Sequence, residues 1–163
     1  MYFYDDFVNR LLEYSTDIKN NNKFGLSLRK KLFWIFLGSS IFAIGIKGAY
    51  DSFYNEKYIF MILFIILGIY GIFAMFYYIL TYKIEINLDN GKIIYNKTEI
   101  DIDNIDNVVL KIMFYKKKVI TGIQVVTKDN KAYVFPLIMN KKTYFVYIFK
   151  EKFKEKFKIE KPQ

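Results

Sequence analysis

Tyr58 to Tyr82 reads YIFMILFIILGIYGIFAMFYYILTY, 25 residues without one charged side chain. As a helix rising about 1.5 Å per residue, this run exceeds the roughly 30 Å hydrocarbon core of a bilayer, so it spans with tilt or runs past the surface. A soluble core rarely holds so long an uncharged stretch. Upstream, Leu32 to Tyr50 (LFWIFLGSSIFAIGIKGAY) carries only Lys47, near its end, whose stem can extend toward the headgroups. Some thirty residues precede this second run and no small-x-small cleavage site follows it, so it reads as an uncleaved anchor. Residues 32–82 contain only Lys47, Asp51, Glu56 and Lys57 as charges. The chain therefore divides into an apolar middle, 25–82, with spans at 32–50 and 58–82, an N-terminal segment 1–24, and a charged C-terminal domain 83–163.

Orientation follows from the basic residues beside the spans. Arg29, Lys30 and Lys31 abut the first, the short connection has only Lys57 against Asp51 and Glu56, and Lys83 opens a lysine-rich remainder. The expected topology is multi-pass in the inner (cell) membrane with both termini cytoplasmic. Trp34, Tyr78 and Tyr82 stand where interfacial aromatic anchors belong, and with Arg29, Lys30, Lys31 and Lys83 they form the expected membrane-interface set. Gly38, Ser39, Ala43, Gly45, Gly48 and Ala49 in the first span, and Gly68, Gly71 and Ala74 in the second, permit close backbone approach. Packing of the hairpin on itself is the first reading of these small residues; a homo-oligomer interface is the other.

Before the spans, Phe3, Phe7, Leu11, Leu12 and Ile18 recur at helical spacing, which predicts an amphipathic helix over 2–18. Its excess of acidic charge suits packing on the C-terminal domain better than lying on a membrane. Lys19 to Lys23 (KNNNK) reads as a polar linker, ended by Gly25.

From Lys83 the period changes to two: Ile84, Ile86 and Leu88 alternate with polar residues, and Asp89-Asn90-Gly91 is a hairpin turn. Strands are expected at 92–96, 99–102, 108–115, 122–128 and 132–137, with Asp103 to Asn107 a turn, and Pro136 at a strand end or edge. Asn140 is the expected N-cap of a helix in which Phe145, Phe149, Phe153 and Phe157 repeat every fourth residue; the tail from Glu160 is expected to fray.

The fold class expected is thus a membrane α-helical hairpin plus an α+β domain. Two adjoining spans, then meandering strands including Ile100, Ile105 and Val108 around an Asp-rich turn, then a strand-turn-strand-helix from Gly122, resemble bacterial two-span membrane proteins with a pleckstrin-homology-like (PH-like) cytoplasmic domain. The resemblance covers about Leu32 to Phe157. It implies a curved antiparallel sheet or barrel of about six to seven strands capped by a C-terminal helix.

Chemistry is sparsely signalled. With no Cys and no His, disulfide scaffolds, Cys/His zinc sites and His or Cys catalysis are excluded. Neither a G-x-x-x-x-G-K-[ST] phosphate loop nor a G-x-S-x-G nucleophile turn occurs. The run Asp101-Ile-Asp-Asn-Ile-Asp106 has Asp where a calcium loop needs its sixth-position Gly and Ile112 in place of the bidentate Glu, so it reads as a capped turn. No catalytic residue, metal or cofactor is expected. Residues 83–163 hold 17 Lys against 10 Asp or Glu, with the densest cluster at Lys116, Lys117 and Lys118. These three are the candidate contacts to anionic lipid headgroups. Nucleic acid is not the expected partner, since basic charge without a recognition motif is non-specific. The expectation is a membrane-anchored adaptor that binds lipid or an unidentified protein partner at the inner leaflet. A toxin-immunity membrane protein and a structural subunit of a membrane complex are the alternatives.

Overall fold

The computed structural model describes residues 2–115 and 118–160, with side chains from Tyr4 onward. The chain divides into two compact units: Leu26–Tyr82, and Met1–Gly25 joined with Lys83–Gln163.

The first unit is an antiparallel pair of helices, α2 (Leu28–Tyr54) and α3 (Tyr58–Thr81), which follow an N-terminal helix α1 in the chain. Both are long and apolar enough to cross a membrane, and only 11 % of the most apolar window of either is buried within the protein. α2 begins earlier and ends later than the expected span 32–50, taking in the basic residues before it. Its end is a Schellman-type cap: Glu56 is left-handed (φ 55°), its N–H bonds to the Phe53 carbonyl, and the Lys57 N–H reaches the Ser52 carbonyl. The two helices meet through glycine. A Cβ on Gly45 would lie 2.7 Å from Gly68 Cα, and one on Gly38 would lie 2.9 Å from the Gly71 carbonyl oxygen. A Cβ on Gly48 would strike the Phe64 ring. These glycines pack the hairpin on itself.

The second unit is α+β. α1 spans Tyr2–Glu13, shorter than the expected 2–18; it buries Phe7 and Leu11 as expected, together with Tyr4, while Leu12 is exposed and Ile18 lies beyond the helix. Next comes β1, Asn21–Gly25, in the segment read from sequence as a linker. It pairs antiparallel with β2 (Lys83–Asn87), Gly25 opposite Lys83 and Asn21 opposite Asn87. The apolar hairpin is therefore inserted in the chain between two neighbouring strands of one sheet. β1 was missed because one of its two inward residues is Asn22, buried at 5 % exposure and satisfied by the Lys19 carbonyl and the Tyr144 hydroxyl. The other, Phe24, packs edge-on against Phe145 with ring centroids 5.0 Å apart.

β3 (Lys92–Tyr95) and β4 (Thr98–Asp101) complete the sheet β1-β2-β3-β4. The Asp89-Asn90-Gly91 turn forms as expected, with Gly91 at φ 63° and the Asn90 N–H bonded to the Asn87 side chain. β5 (Ile105–Tyr115), β6 (Lys118–Thr127) and β7 (Ala132–Pro136) are antiparallel neighbours, and β8 (Phe157–Ile159) adds to β5 in parallel, giving β7-β6-β5-β8. Among the described residues there are thus two four-stranded sheets and no closed barrel, eight strands where six to seven were expected.

The helix α4 (Lys142–Phe153) also differs from expectation. Asn140 is not its N-cap; the N-cap is Lys141, left-handed and without a capping side chain. Asn140 instead closes a two-bond link with β1, its side-chain oxygen accepting from the Gly25 N–H and its own N–H donating to the Gly25 carbonyl. The helix stops at Phe153 and a 3-10 turn follows. Phe157 leaves the four-residue repeat because the edge of β5 offers it a ladder, opposite Val108. Glu160 is likewise held, donating its N–H to the Leu110 carbonyl. Phe145 through Phe149 are all buried, since sheet residues such as Phe135 cover one side of α4 and α1 the other, with Tyr14 on Tyr147 at 5.3 Å. Tyr4 of α1 donates its hydroxyl to the Leu110 and Glu160 carbonyls. Burial, then nearby Glu160 and Asp5, push that hydroxyl up to about 12.

If β1 is a structural strand, Phe24→Ala costs about 3–5 kcal/mol. That loss is expected as a lowered thermal midpoint of the full chain in mild detergent, whereas the exposed Asn21→Ala stays within about 0.5 kcal/mol. Equal behaviour of the two variants would return residues 21–25 to the status of a linker.

Candidate functional site

Antiparallel strands send successive turns to alternate ends of the α+β unit. One end is where the chain departs for the apolar helices, at Gly25 and Lys83. The turn between β3 and β4 lies there, because Tyr95 is the ladder partner of Ile84. So does the β5–β6 tip, since Tyr115 is hydrogen-bonded to Tyr95, whose hydroxyl is pushed up by burial first and by Tyr115 second. The connection from β7 to α4 lies there too, because Asn140 is bonded to Gly25. The opposite end gathers the turns at 88–91, 102–104 and 128–131, joined by the Lys128 N–H on the Asn104 carbonyl and the Asn104 side chain on Asp129.

Charge follows this alternation. The exit end carries Lys97, Lys118, Lys141 and Lys142, all exposed and none in an ion pair among the described residues; Lys142 lies over the Phe7 ring. Its carboxylate is Glu85, already held by Lys83 at 2.6 Å and Lys23 at 3.6 Å and lowered chiefly by the Lys83 hydrogen bond. The far end carries Asp89, Asp103 and Asp129, with Asp101 closing β4 there and accepting the Asp103 N–H. Lys92 and Lys131 are neutralised by Glu99 and Asp129, both at distances of 2.6–2.7 Å. Hydrogen bonds from Lys131 and then Thr127 bring the Asp129 carboxyl down to about 2. Lys128 and Lys154 are exposed cations at that end as well, so it is mixed, while at the exit end Lys97, Lys118, Lys141 and Lys142 stand outside the ion pairs found among the described residues.

Several exit-end lysines sit where local rules favour other residues. Lys97 is left-handed at φ 68°, after Asn96 at φ 48°, in a two-residue turn that glycine fits best at its second position. Lys141 is left-handed at φ 50° and, with Lys142, places positive charge at the N-terminus of α4, against the helix dipole. Arg29, Lys30 and Lys31 do the same in the first turn of α2, which has no acidic residue.

Of the residues singled out from sequence, Lys118 is exposed at the start of β6; Lys116 and Lys117 lie outside the described residues. Arg29 and Lys30 are exposed and Lys31 half-buried. Trp34 and Tyr78 stack face to face, ring centroids 3.9 Å apart and planes within 7°, one turn and more inside the ends of α2 and α3. Tyr82 follows α3, and Lys83 starts β2. Sequence reasoning missed Lys97, Lys141 and Lys142. The alternation of Asp-rich and Lys-rich turns along the meander was the signal that carried them. The acidic run does not gather into a ligand set: Glu99 faces Lys92 and Asp101 caps its own turn. No family model matches the chain, and no curated protein or solved structure is significantly similar to it.

Replacing Lys97 by glycine removes a side chain from a left-handed position and is expected to stabilise by up to about 1 kcal/mol. The thermal midpoint of Lys97→Gly in detergent should rise by a few degrees. A fall would mean that the lysine makes a contact outweighing its backbone strain.

Proposed function

We propose that this protein is a non-catalytic, membrane-anchored binding module whose α+β unit presents its basic end to the anionic headgroups of the inner leaflet. The observation that carries the reading is the coincidence of two things at one end of that unit. The chain leaves there for two helices able to cross a bilayer, and four unpaired lysines collect there. Near an anionic surface each cation contributes about 1 kcal/mol, falling off within a Debye length of about 10 Å. A domain tethered at Gly25 and Lys83 stays within that range without folding or docking anew.

Topology follows from the same ladder. Residues on both flanks of the hairpin belong to one compact unit, which supports placing both flanks on one side of the membrane. Arg29, Lys30, Lys31 and Lys83 favour the cytoplasmic side by the positive-inside bias. The two meandering sheets closed by a helix support the PH-like reading of the unit, with β1 supplied from before the spans. The non-catalytic reading rests on the composition, which holds no His or Cys.

The chain has no native cysteine, so single cysteines report cleanly. In intact cells an impermeant maleimide should label Glu56→Cys and reach Asn130→Cys only after permeabilisation; the reverse pattern would invert the topology. For lipid, the full chain in mild detergent is titrated with phosphatidylglycerol or phosphatidylcholine, and bound lipid is counted by native mass spectrometry. Changing Lys97, Lys118, Lys141 and Lys142 together to Gln should remove most of the preference for phosphatidylglycerol, and Lys128→Gln with Lys131→Gln should leave it. Equal effects of the two sets would end the lipid proposal, and a stoichiometric co-purifying protein would point to a peptide or subunit partner instead.

A further inference from the structure

Outside the two apolar helices, the large hydrophobic side chains left exposed among the described residues are Leu12, Phe114 and Val119. Phe114 is 84 % exposed and Val119 61 %, and the two are Cα partners across the β5–β6 ladder, so their side chains share one face. They stand one pair from the tip, beside Lys118.

The ribbon that carries them overhangs the sheet. On one side β7 ends at Pro136, opposite Gly122, with one further bond from the Leu137 N–H to the Thr121 carbonyl. On the other side, among the described residues, β8 pairs with β5 from Val108 to Leu110. From Thr121 to Lys118 the strand runs on for about 10 Å at roughly 3.3 Å per residue, and its ladder partner there among the described residues is β5. It projects from the exit end, since β7 beside it runs on from Pro136, opposite Gly122, to Asn140, which is bonded to Gly25.

We propose that the β5–β6 hairpin is a membrane finger, with Phe114 and Val119 entering the headgroup region of the leaflet beside which the chain leaves for its apolar helices. The inference rests on the proposed orientation of the basic end and adds an apolar insertion to it. An anionic leaflet is the occupant that fits both parts of the tip. It accepts an aromatic ring at the depth of the headgroups and attracts Lys118, exposed at the start of β6 next to it. An apolar pocket on a second copy or another protein would satisfy Phe114 and Val119 but leave that positive charge without a counterpart.

The full chain, carrying Phe114→Cys or Val119→Cys with an environment-sensitive nitrobenzoxadiazole label, is reconstituted into nanodiscs of phosphatidylglycerol or phosphatidylcholine. Nitroxide lipids labelled near the headgroup serve as quenchers. In phosphatidylglycerol discs both labels should shift to the blue and be quenched by the shallow nitroxide, and a label at Asn130→Cys should be neither. Phe114→Ser placed in the Val119→Cys chain should reduce the quenching with no change in thermal midpoint, since Phe114 is exposed. Labels that stay solvent-like at both positions would overturn the finger. So would a blue shift without nitroxide quenching, which means cover by protein. If the labels stay solvent-like while the four-lysine variant still loses its retained phosphatidylglycerol, the basic end stands and only the finger falls. Loss of neither signal removes both.

Discussion

The pairing of β1 with β2 is the constraint on which the rest of the architecture depends. Five residues before the hairpin and five after it form one ladder, Gly25 opposite Lys83. Closing a flexible loop of the intervening length would cost roughly 3–4 kcal/mol in chain entropy. The loop is not flexible: α2 and α3 run antiparallel and touch through Gly38, Gly45, Gly48 and Gly71, so the helix pair already returns the chain to its starting point. In hydrocarbon, apolar burial does not drive helices together, and close backbone contact takes over that part. The glycines therefore serve the sheet as well as the hairpin, because they make a pairing that is remote in sequence near in space.

The ladder also decides what the unit can do. The α+β unit is joined to the apolar helices through two neighbouring strands, β1 and β2, at one end of their ladder. Every turn is thereby assigned either to the exit end or to the far end. Asp and Asn at the far turns have an ordinary explanation, since they hydrogen-bond their own backbone, as Asp101 does with the Asp103 N–H. Lysine has no such local use in a turn, and Lys97, Lys118, Lys141 and Lys142 at the exit end find no ion-pair partner among the described residues.

Much of this was legible in the sequence, and the failures are physical. The spans and the Asp89-Asn90-Gly91 hairpin stood out because long apolar runs and Asn-Gly turns have few other interpretations. β1 was hidden because Asn22 takes an inward position, so alternation of hydrophobic residues never appears in NNKFG. The end of α4 was hidden because Phe157 keeps the helical repeat while serving as the first residue of a parallel strand. Lys116 to Lys118 were visible as a cluster in sequence, but Lys97 and Lys141-Lys142 join that end only through strand register.

The exit-end lysines are also where local preference and observed structure conflict most. A left-handed non-glycine residue costs about 1–2 kcal/mol, and a cation at a helix N-terminus about 0.3–1 kcal/mol. Lys97, Lys141 and Lys142, and separately Arg29 to Lys31, accumulate such costs, which for Lys142 the cation–π contact with the Phe7 ring partly offsets. At the far end Asn130 at φ 59° and Gly91 at φ 63° are suited to their positive φ, whereas Lys154 at φ 36° is a third left-handed lysine. On the proposed function, an anionic surface next to the exit end supplies a favourable interaction for these lysines, and it is the same surface the apolar helices would require.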